Sequence, residues 1–372
     1  MAHSTYHLPL TDTADPPAIS SFQHAFELKE PLVTAKRGAF ISILRSIPRT
    51  SLSRQRATID DHAFGEDPLA LVESNLSQNE TVLYLAYGSN LSAETFLGRR
   101  GIKPLSQVNV VAPQIALSFD LPGIPYSEPC FGNCRYREVK SEDSYHKNAW
   151  KKGLVGVVYE VTRKDYAQII ATEGGGSGYQ DVLIDCYALD DDATKEVPEF
   201  PEGNAFRVHT LYSHGRTALR PDPDYAQPSP RYLKLITDGA FEHDLPHEYR
   251  HFLENIRTYH VTTNMQRLGS FVFLAVWAPL FMFFFGGARI FLDKNGRYPK
   301  WYAKFAQGLF TAVWASYDGF FQKTFGDGER TIGDGLKHPG GGRTITTRAT
   351  NASEKTPLLN STTGHHRSRE DV

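Results

Sequence analysis

The chain has 372 residues, 40% of them hydrophobic, and 40 Lys and Arg stand against 42 Asp and Glu for a formal net charge of −2. That length allows one large or two small domains with tails, and the charge balance offers no basic excess that would point to nucleic acid. Three cysteines, Cys130, Cys134 and Cys186, are too few for a disulfide framework and lack a second pair for zinc, so free thiols in a reducing compartment and no metal site are expected.

Residues 1–80 mix Pro, Ser, Thr and charge without a sustained period and are expected to be largely unstructured. No compact apolar run follows basic residues at the N-terminus, so no secretory signal is expected. Residues 39–47 lie in a basic stretch with Lys36, Arg37, Arg45 and Arg49. They read either as a short amphipathic helix on a membrane surface or as a solvated basic segment.

Residues 81–262 carry the expected globular domain. It opens with VLYLAYGSNLS, 82–92, an apolar strand that runs straight into a small polar turn. Gly, Ser and Asn are ordinary turn formers. Successive backbone N–H groups in such a turn also make a concave donor site for a carboxylate, phosphate or oxyanion. Gly88 is expected to serve close approach or a positive φ. A helix start follows, with Ser92 as its cap and Glu94 in its first turn.

Residues 153–161 and 181–187 read as buried strands, 166–171 as a short helix between them, and 245–259 as a helix with Pro246 at its start. This irregular order predicts a mixed α+β fold rather than a doubly wound sheet. Between helix and strand stands Thr172-Glu173-Gly174-Gly175-Gly176-Ser177-Gly178-Tyr179-Gln180. It is no phosphate loop, because no Lys-Ser or Lys-Thr follows and it enters a strand. Glu173 closes an apolar helix at its C-terminus, where the dipole disfavours a carboxylate and, in a partly buried site, raises its proton affinity. It reads either as a proton-shuttling acid or as a solvent-exposed side chain.

The composition then changes. Residues 268–288 hold no charge and are long enough to cross a bilayer. Residues 305–321 form a second, shorter apolar run, either a second pass or an interfacial helix. The membrane anchor is therefore placed at 263–325, with its span at 268–290, and a disordered tail at 326–372. Basic residues are richer after the span (Arg289, Lys294, Arg297, Lys300, Lys304) than before it (Arg257, Arg267), which opposes a single pass with a lumenal tail. Glu354-Lys355-Thr356-Pro357-Leu358-Leu359 resembles an acidic dileucine sorting signal, read from the cytosol. Asn351 and Asn360 are glycosylation acceptors that matter only in a lumen. The expectation is a globular domain and both chain ends in the cytosol, on a vacuolar or other endomembrane.

Four ordered blocks carry a family resemblance. They are Tyr87-Gly88-Ser89-Asn90-Leu91; Gly153-Leu154-Val155-Gly156-Val157-Val158-Tyr159 leading to Thr172-Glu173-Gly174; Pro228-Ser229-Pro230-Arg231-Tyr232; and Gly239-Ala240-Phe241-Glu242-His243-Asp244-Leu245-Pro246 with Tyr249. In this order they resemble the γ-glutamylcyclotransferases over 81–262. The resemblance implies a small mixed β-barrel with flanking helices. It implies an intramolecular cyclisation of a γ-glutamyl amino acid or peptide to 5-oxoproline, without metal or organic cofactor. Glu173 matches the family's general acid/base, and Tyr87, Gly88, Ser89, Asn90 and Leu91 match the residues that hold the γ-glutamyl group. Tyr232 matches a pocket tyrosine. Tyr179 corresponds to another, with its offset shifted by the glycine-rich loop. Cys130-Phe131-Gly132-Asn133-Cys134-Arg135 departs from the more apolar run of many relatives, which leaves the leaving-group subsite open. A glutathione-specific or γ-glutamylamine enzyme, and a non-catalytic membrane-tethered ligand-binding relative, are the alternatives. The partners implied are the γ-glutamyl substrate and a lipid bilayer.

Overall fold

The computed structural model describes residues 33–64, 80–137, 150–172, 180–213, 220, 222, 224–286 and 300–333. Strand β1 (Thr81–Ala86) is buried along nearly its whole length, so it reads as an apolar run rather than an alternation. It pairs antiparallel with β5 (Leu154–Thr162), from Thr81 opposite Thr162 to Ala86 opposite Val157. Gly156 makes this approach possible: a Cβ there would lie 2.4 Å from the Ala86 carbonyl oxygen. On the other side of β5 lies β2 (Ser106–Ala112), with Val108 opposite Val158. β6 (Gln180–Ala188) and β7 (Phe206–Tyr212) form a long antiparallel ladder, and β6 joins β2 at Val110 and Val111.

The order β1-β5-β2-β6-β7 curls until β7 meets β1 again, in parallel, through the pair Tyr84 and His209. The mixed α+β class is as expected, and the curled sheet meets itself through one register pair rather than a continuous ladder. A separate hairpin, β3 (Ile115–Ile124) with β4 (Glu128–Tyr136), carries a bulge between Ser118 and Leu121.

The first helix, α1 (Val33–Ser46), and a short α2 (Leu52–Arg56) belong to an arm laid along the sheet. Thr50 N–H donates to Gln107 O and Gln107 N–H to Pro48 O, both at 2.9 Å. Arg54 Nε reaches Glu160 at 3.0 Å. Burial would raise the Glu160 carboxyl, but hydrogen bonds from Ser106, Thr81 and Arg54 hold it below its usual range. Residues 33–64 are thus folded, which corrects the unstructured expectation for that part of 1–80. Leu44 of α1 is buried, and Phe40 lies against Gly98, so this helix packs on protein.

Helix α3 (Arg163–Thr172) leads toward β6. Helix α4 (Pro230–Glu242) begins at Ser229, whose side chain accepts the Tyr232 N–H at 3.0 Å, with Pro230 in the first turn. α5 (His247–Glu254) follows Pro246 and is shorter than the expected 245–259, because it stops at Asn255.

Helix α6 (Asn264–Gly286) contains Pro279 and is, among the described residues, the one helix long and apolar enough to cross a membrane. α7 (Lys300–Ser316) returns beside it, with Phe281 against Phe310 and Phe273 against Phe321, so the pair is antiparallel. A wide turn, Tyr317–Phe321, leads into α8 (Gln322–Phe325). Residues 326–332, the start of the expected tail, form a strap, and 334–372 lie outside the described residues. Tyr126 N–H donates to Gly328 O at 2.7 Å, Gln227 N–H to Glu329 O at 2.9 Å, and Gln266 Nε2 to Asp327 O at 2.7 Å. Tyr126 sits at φ 65 in the β3–β4 turn, and its ring packs against Phe273 and Tyr317.

Candidate functional site

The end of β1 passes into a turn at Gly88 and a single 3₁₀ turn, Ser89–Leu91. Leu91 N–H bonds to Gly88 O at 3.0 Å and Ser92 N–H to Ser89 O at 3.1 Å. Those two amides are engaged inside the turn, so the half-exposed Gly88 and Ser89 are the positions able to present N–H groups to a ligand. Gly88 has φ −105, which corrects the expectation of a positive φ and leaves close approach as its role. A Cβ at Gly88 would lie 3.4 Å from the Tyr232 hydroxyl.

Tyr232 reaches this turn from the first part of α4. Its phenol oxygen also accepts the Gly132 N–H of β4 at 2.9 Å, so it lies between the two glycines. Phe131 meets its ring edge-on at a centroid distance of 5.1 Å. The approach angle of α4 is fixed by Glu128, a buried carboxylate of β4 that accepts the Ser229 hydroxyl and Arg231 Nε, each at 2.6 Å. One carboxylate thereby locks strand, cap and pocket tyrosine into one unit.

The other end of α4 clamps the turn from behind. Gly239 lies so close that a Cβ would be 2.4 Å from the Leu91 carbonyl carbon. Glu242 Oε2 accepts the Ala93 N–H at 2.8 Å. This carboxylate, not Ser92, serves the start of the following turn, Glu94–Arg99, whose hydrogen bonds are of the wide π type. His243 Nε2 pairs with the Tyr159 hydroxyl at 2.7 Å. Burial pushes this imidazole down to about 3, with a bond to the Leu91 main chain acting the other way, so it stays neutral.

The remaining expected turn residues are buried and engaged with protein groups. Asn90 Nδ2 donates to Tyr84 OH at 2.8 Å, Tyr87 OH donates to Leu211 O at 2.9 Å, and Leu91 lies in the core. The three cysteines are free and buried. Burial pushes the Cys134 thiol up to about 12 against a hydrogen bond with Tyr87. Glu173 and Tyr179 lie outside the described residues; α3 ends at Thr172 and β6 begins at Gln180 on either side of them. Among the described residues no group of three His, Cys, Asp or Glu side chains is placed to hold a metal.

Sequence reasoning missed Glu128, Gly132, Glu242 and His243 as parts of the site. The last two stand inside the fourth block of the resemblance, which was the available signal. Gly132 stands in the run Cys130–Arg135, which was noted only for the leaving-group subsite, and Glu128 lies in a part of the hairpin that no motif marked.

Residues 263–323 match the family model described as the AclK C-terminal domain. The γ-glutamyl cyclotransferase gliK of Aspergillus fumigatus is 30% identical, over 67% of this chain and 89% of its own length. The γ-glutamyl cyclotransferase aclK of Aspergillus oryzae is 30% identical over 70% of this chain and 94% of its own. A solved structure of a γ-glutamyl cyclotransferase is similar over 50% of this chain and 93% of its own, at 22% identity and a TM-score of 0.36.

Proposed function

Since this chain belongs to the γ-glutamyl cyclotransferase family of enzymes, we propose that it converts γ-glutamyl amino acids or peptides into 5-oxoproline and a free amine. The observation that carries this reading is the Tyr232 hydroxyl set between Gly88 and Gly132, at a turn where Gly88 and Ser89 are half-exposed.

In the proposed reaction the γ-glutamyl group lies against Gly88 and Ser89. Glu173 takes a proton from the α-ammonium, and the freed nitrogen lone pair attacks the substrate's own γ-carbonyl carbon. The new C–N bond pushes the carbonyl electrons onto oxygen. Backbone donors preorganised for that oxyanion lower the barrier by about 3–4 kcal/mol. The oxyanion then re-forms the carbonyl, the old C–N bond breaks as Glu173 returns its proton to the departing nitrogen, and the ring nitrogen gives up its second proton to the released amine or to solvent, which leaves the neutral lactam and a carboxylate ready for the next cycle. Nucleophile and carbonyl share one molecule, so orienting a single folded substrate supplies much of the rest. Tyr232 orients the substrate, and Tyr179 is assigned to the same pocket on the family pattern.

The C-terminal helices serve as the anchor in this reading. Phe271 is 71% and Met282 68% exposed on α6, an apolar face that lipid would cover. Gln266 at the start of α6 meets Asp327 after α8, which supports entry and exit of the chain on one side of the membrane; this reading takes that side, with the catalytic domain, to be the cytosol. The test is product analysis on γ-glutamyl dipeptides, glutathione and γ-glutamyl-lysine. Stoichiometric 5-oxoproline and amine support the reading, and ligand binding without turnover on all three substrates contradicts it.

A further inference from the structure

A second concentration of buried polar chemistry lies beside the seam of the sheet. Asp181, the second residue of β6, is 1% exposed. It accepts the Tyr166 hydroxyl from α3 and, at 2.7 Å, the Phe64 N–H from the N-terminal arm. His209 Nδ1 of β7 lies 3.0 Å from Oδ2 and 3.1 Å from Oδ1. Phe64 stacks on the His209 ring at 4.7 Å, which excludes water from the group. A carboxylate removed from water needs such donors, and here they converge from three separate elements. Apolar side chains of similar volume would fill this space without that cost.

The place of the cluster in the chain suggests what it does. Tyr166 stands on the helix that ends at Thr172, and Asp181 stands at the start of the strand that begins at Gln180. Their bond therefore ties together the two elements that flank residues 173–179.

We propose that Asp181 is a positioning residue for the reaction, fixing through Tyr166 and His209 the two elements between which Glu173 is carried. The proposal rests on the reading of Glu173 as the proton shuttle. Among the described residues Asp181 bonds to Phe64, Tyr166 and His209. Its effect is on where the shuttle stands, so it acts on turnover and leaves the binding turn alone.

The experiment compares the full chain with Asp181→Asn, Tyr166→Phe, the double variant and Glu173→Gln, using γ-glutamyl-alanine as probe. Tyr166→Phe removes a single hydroxyl and guards against a variant that fails to fold. The expected result is a kcat about 10- to 100-fold lower in either single variant, with KM within about twofold, because a small misplacement of a catalytic group is that costly. The double variant falls no further than the worse single. Hydrogen exchange supplies a readout independent of activity: Asp181→Asn speeds exchange in the peptide covering 173–179 and leaves 87–91 unchanged. A lower melting temperature with kcat per folded molecule and exchange both unchanged overturns the proposal and makes the cluster a stability element only. Full activity of Glu173→Gln would instead overturn the assignment of Glu173, while the exchange result still decides on Asp181.

Discussion

The hydroxyl of Tyr232 receives the main-chain N–H of Gly132 at 2.9 Å, joining the first part of a helix to the strand of a hairpin far from it in sequence. Replacing Tyr232 with Phe removes that acceptor and leaves a strand N–H without it. One such bond is worth about 1 kcal/mol. Tyr232→Phe is expected to lower kcat/KM about five- to tenfold, mostly through KM, with a small change in melting temperature. Steady-state kinetics and a thermal melt on the same preparation check this.

The two glycines facing that hydroxyl are expected to differ. A Cβ at Gly88 stands at an ordinary contact distance, 3.4 Å, whereas one at Gly132 comes to 3.0 Å of the hydroxyl. Gly88→Ala is therefore mild. Gly88→Val, with its branches turned toward Tyr232, raises KM. Gly132→Ala pushes the hydroxyl aside and resembles Tyr232→Phe. Ser89→Ala stays within about threefold of wild type if the amide rather than the hydroxyl acts. A large Ser89→Ala defect beside a silent Gly88→Val would reverse this assignment.

His243 sets an acid limit on stability. Its folded value, about 3, lies below the ordinary value of 6.5, so the unfolded chain takes up the proton first as pH falls. Its contribution is complete above about pH 6.5 and is lost progressively until about pH 3, at about 1.4 kcal/mol per pH unit across that window. Urea unfolding at pH 7, 6 and 5 should show this decline, and His243→Gln should flatten it. An equal slope in the variant would remove His243 from the account.

The strap after α8 is fastened by Arg220. Its Nε meets Glu329 at 2.8 Å, its terminal nitrogens meet Asp318 at 2.7 and 2.8 Å, and its guanidinium lies 4.1 Å from the centre of the Trp314 ring. Glu329 is 2% exposed, so Arg220→Met leaves a buried carboxylate without its cation. Breaking such a pair costs about 3–5 kcal/mol. Adding Glu329→Gln is expected to recover part of the lost melting temperature. No recovery would mean that the strap is held by its main-chain bonds alone.

Elements that bury continuous apolar runs were legible in the sequence. β1, β5 and β6 stand where Val, Leu and Ile cluster, and the turn at Gly88 follows because an apolar run ends there on small residues. Segments attached through polar bonds to distant partners were not legible. The arm at 48–54 is held by Gln107 and Glu160, and the strap at 327–331 by Tyr126, Arg220 and Gln227, and no local period reports such partners. Helix α4 carried its own signal in Ser229 and Pro230, but its second task, clamping Leu91 and Ala93 through Gly239 and Glu242, depends on a contact that spacing alone does not encode.

The most direct measurement is 5-oxoproline release by the wild-type chain and by Glu173→Gln, with thermal melting of both. Glutamine keeps the shape of the side chain and cannot shuttle the proton. The account predicts that the variant melts within a few degrees of wild type and loses at least about a thousandfold of the turnover, since it removes both proton transfers. Turnover within a few-fold of wild type would contradict it, and would mean that another group moves the proton in this enzyme.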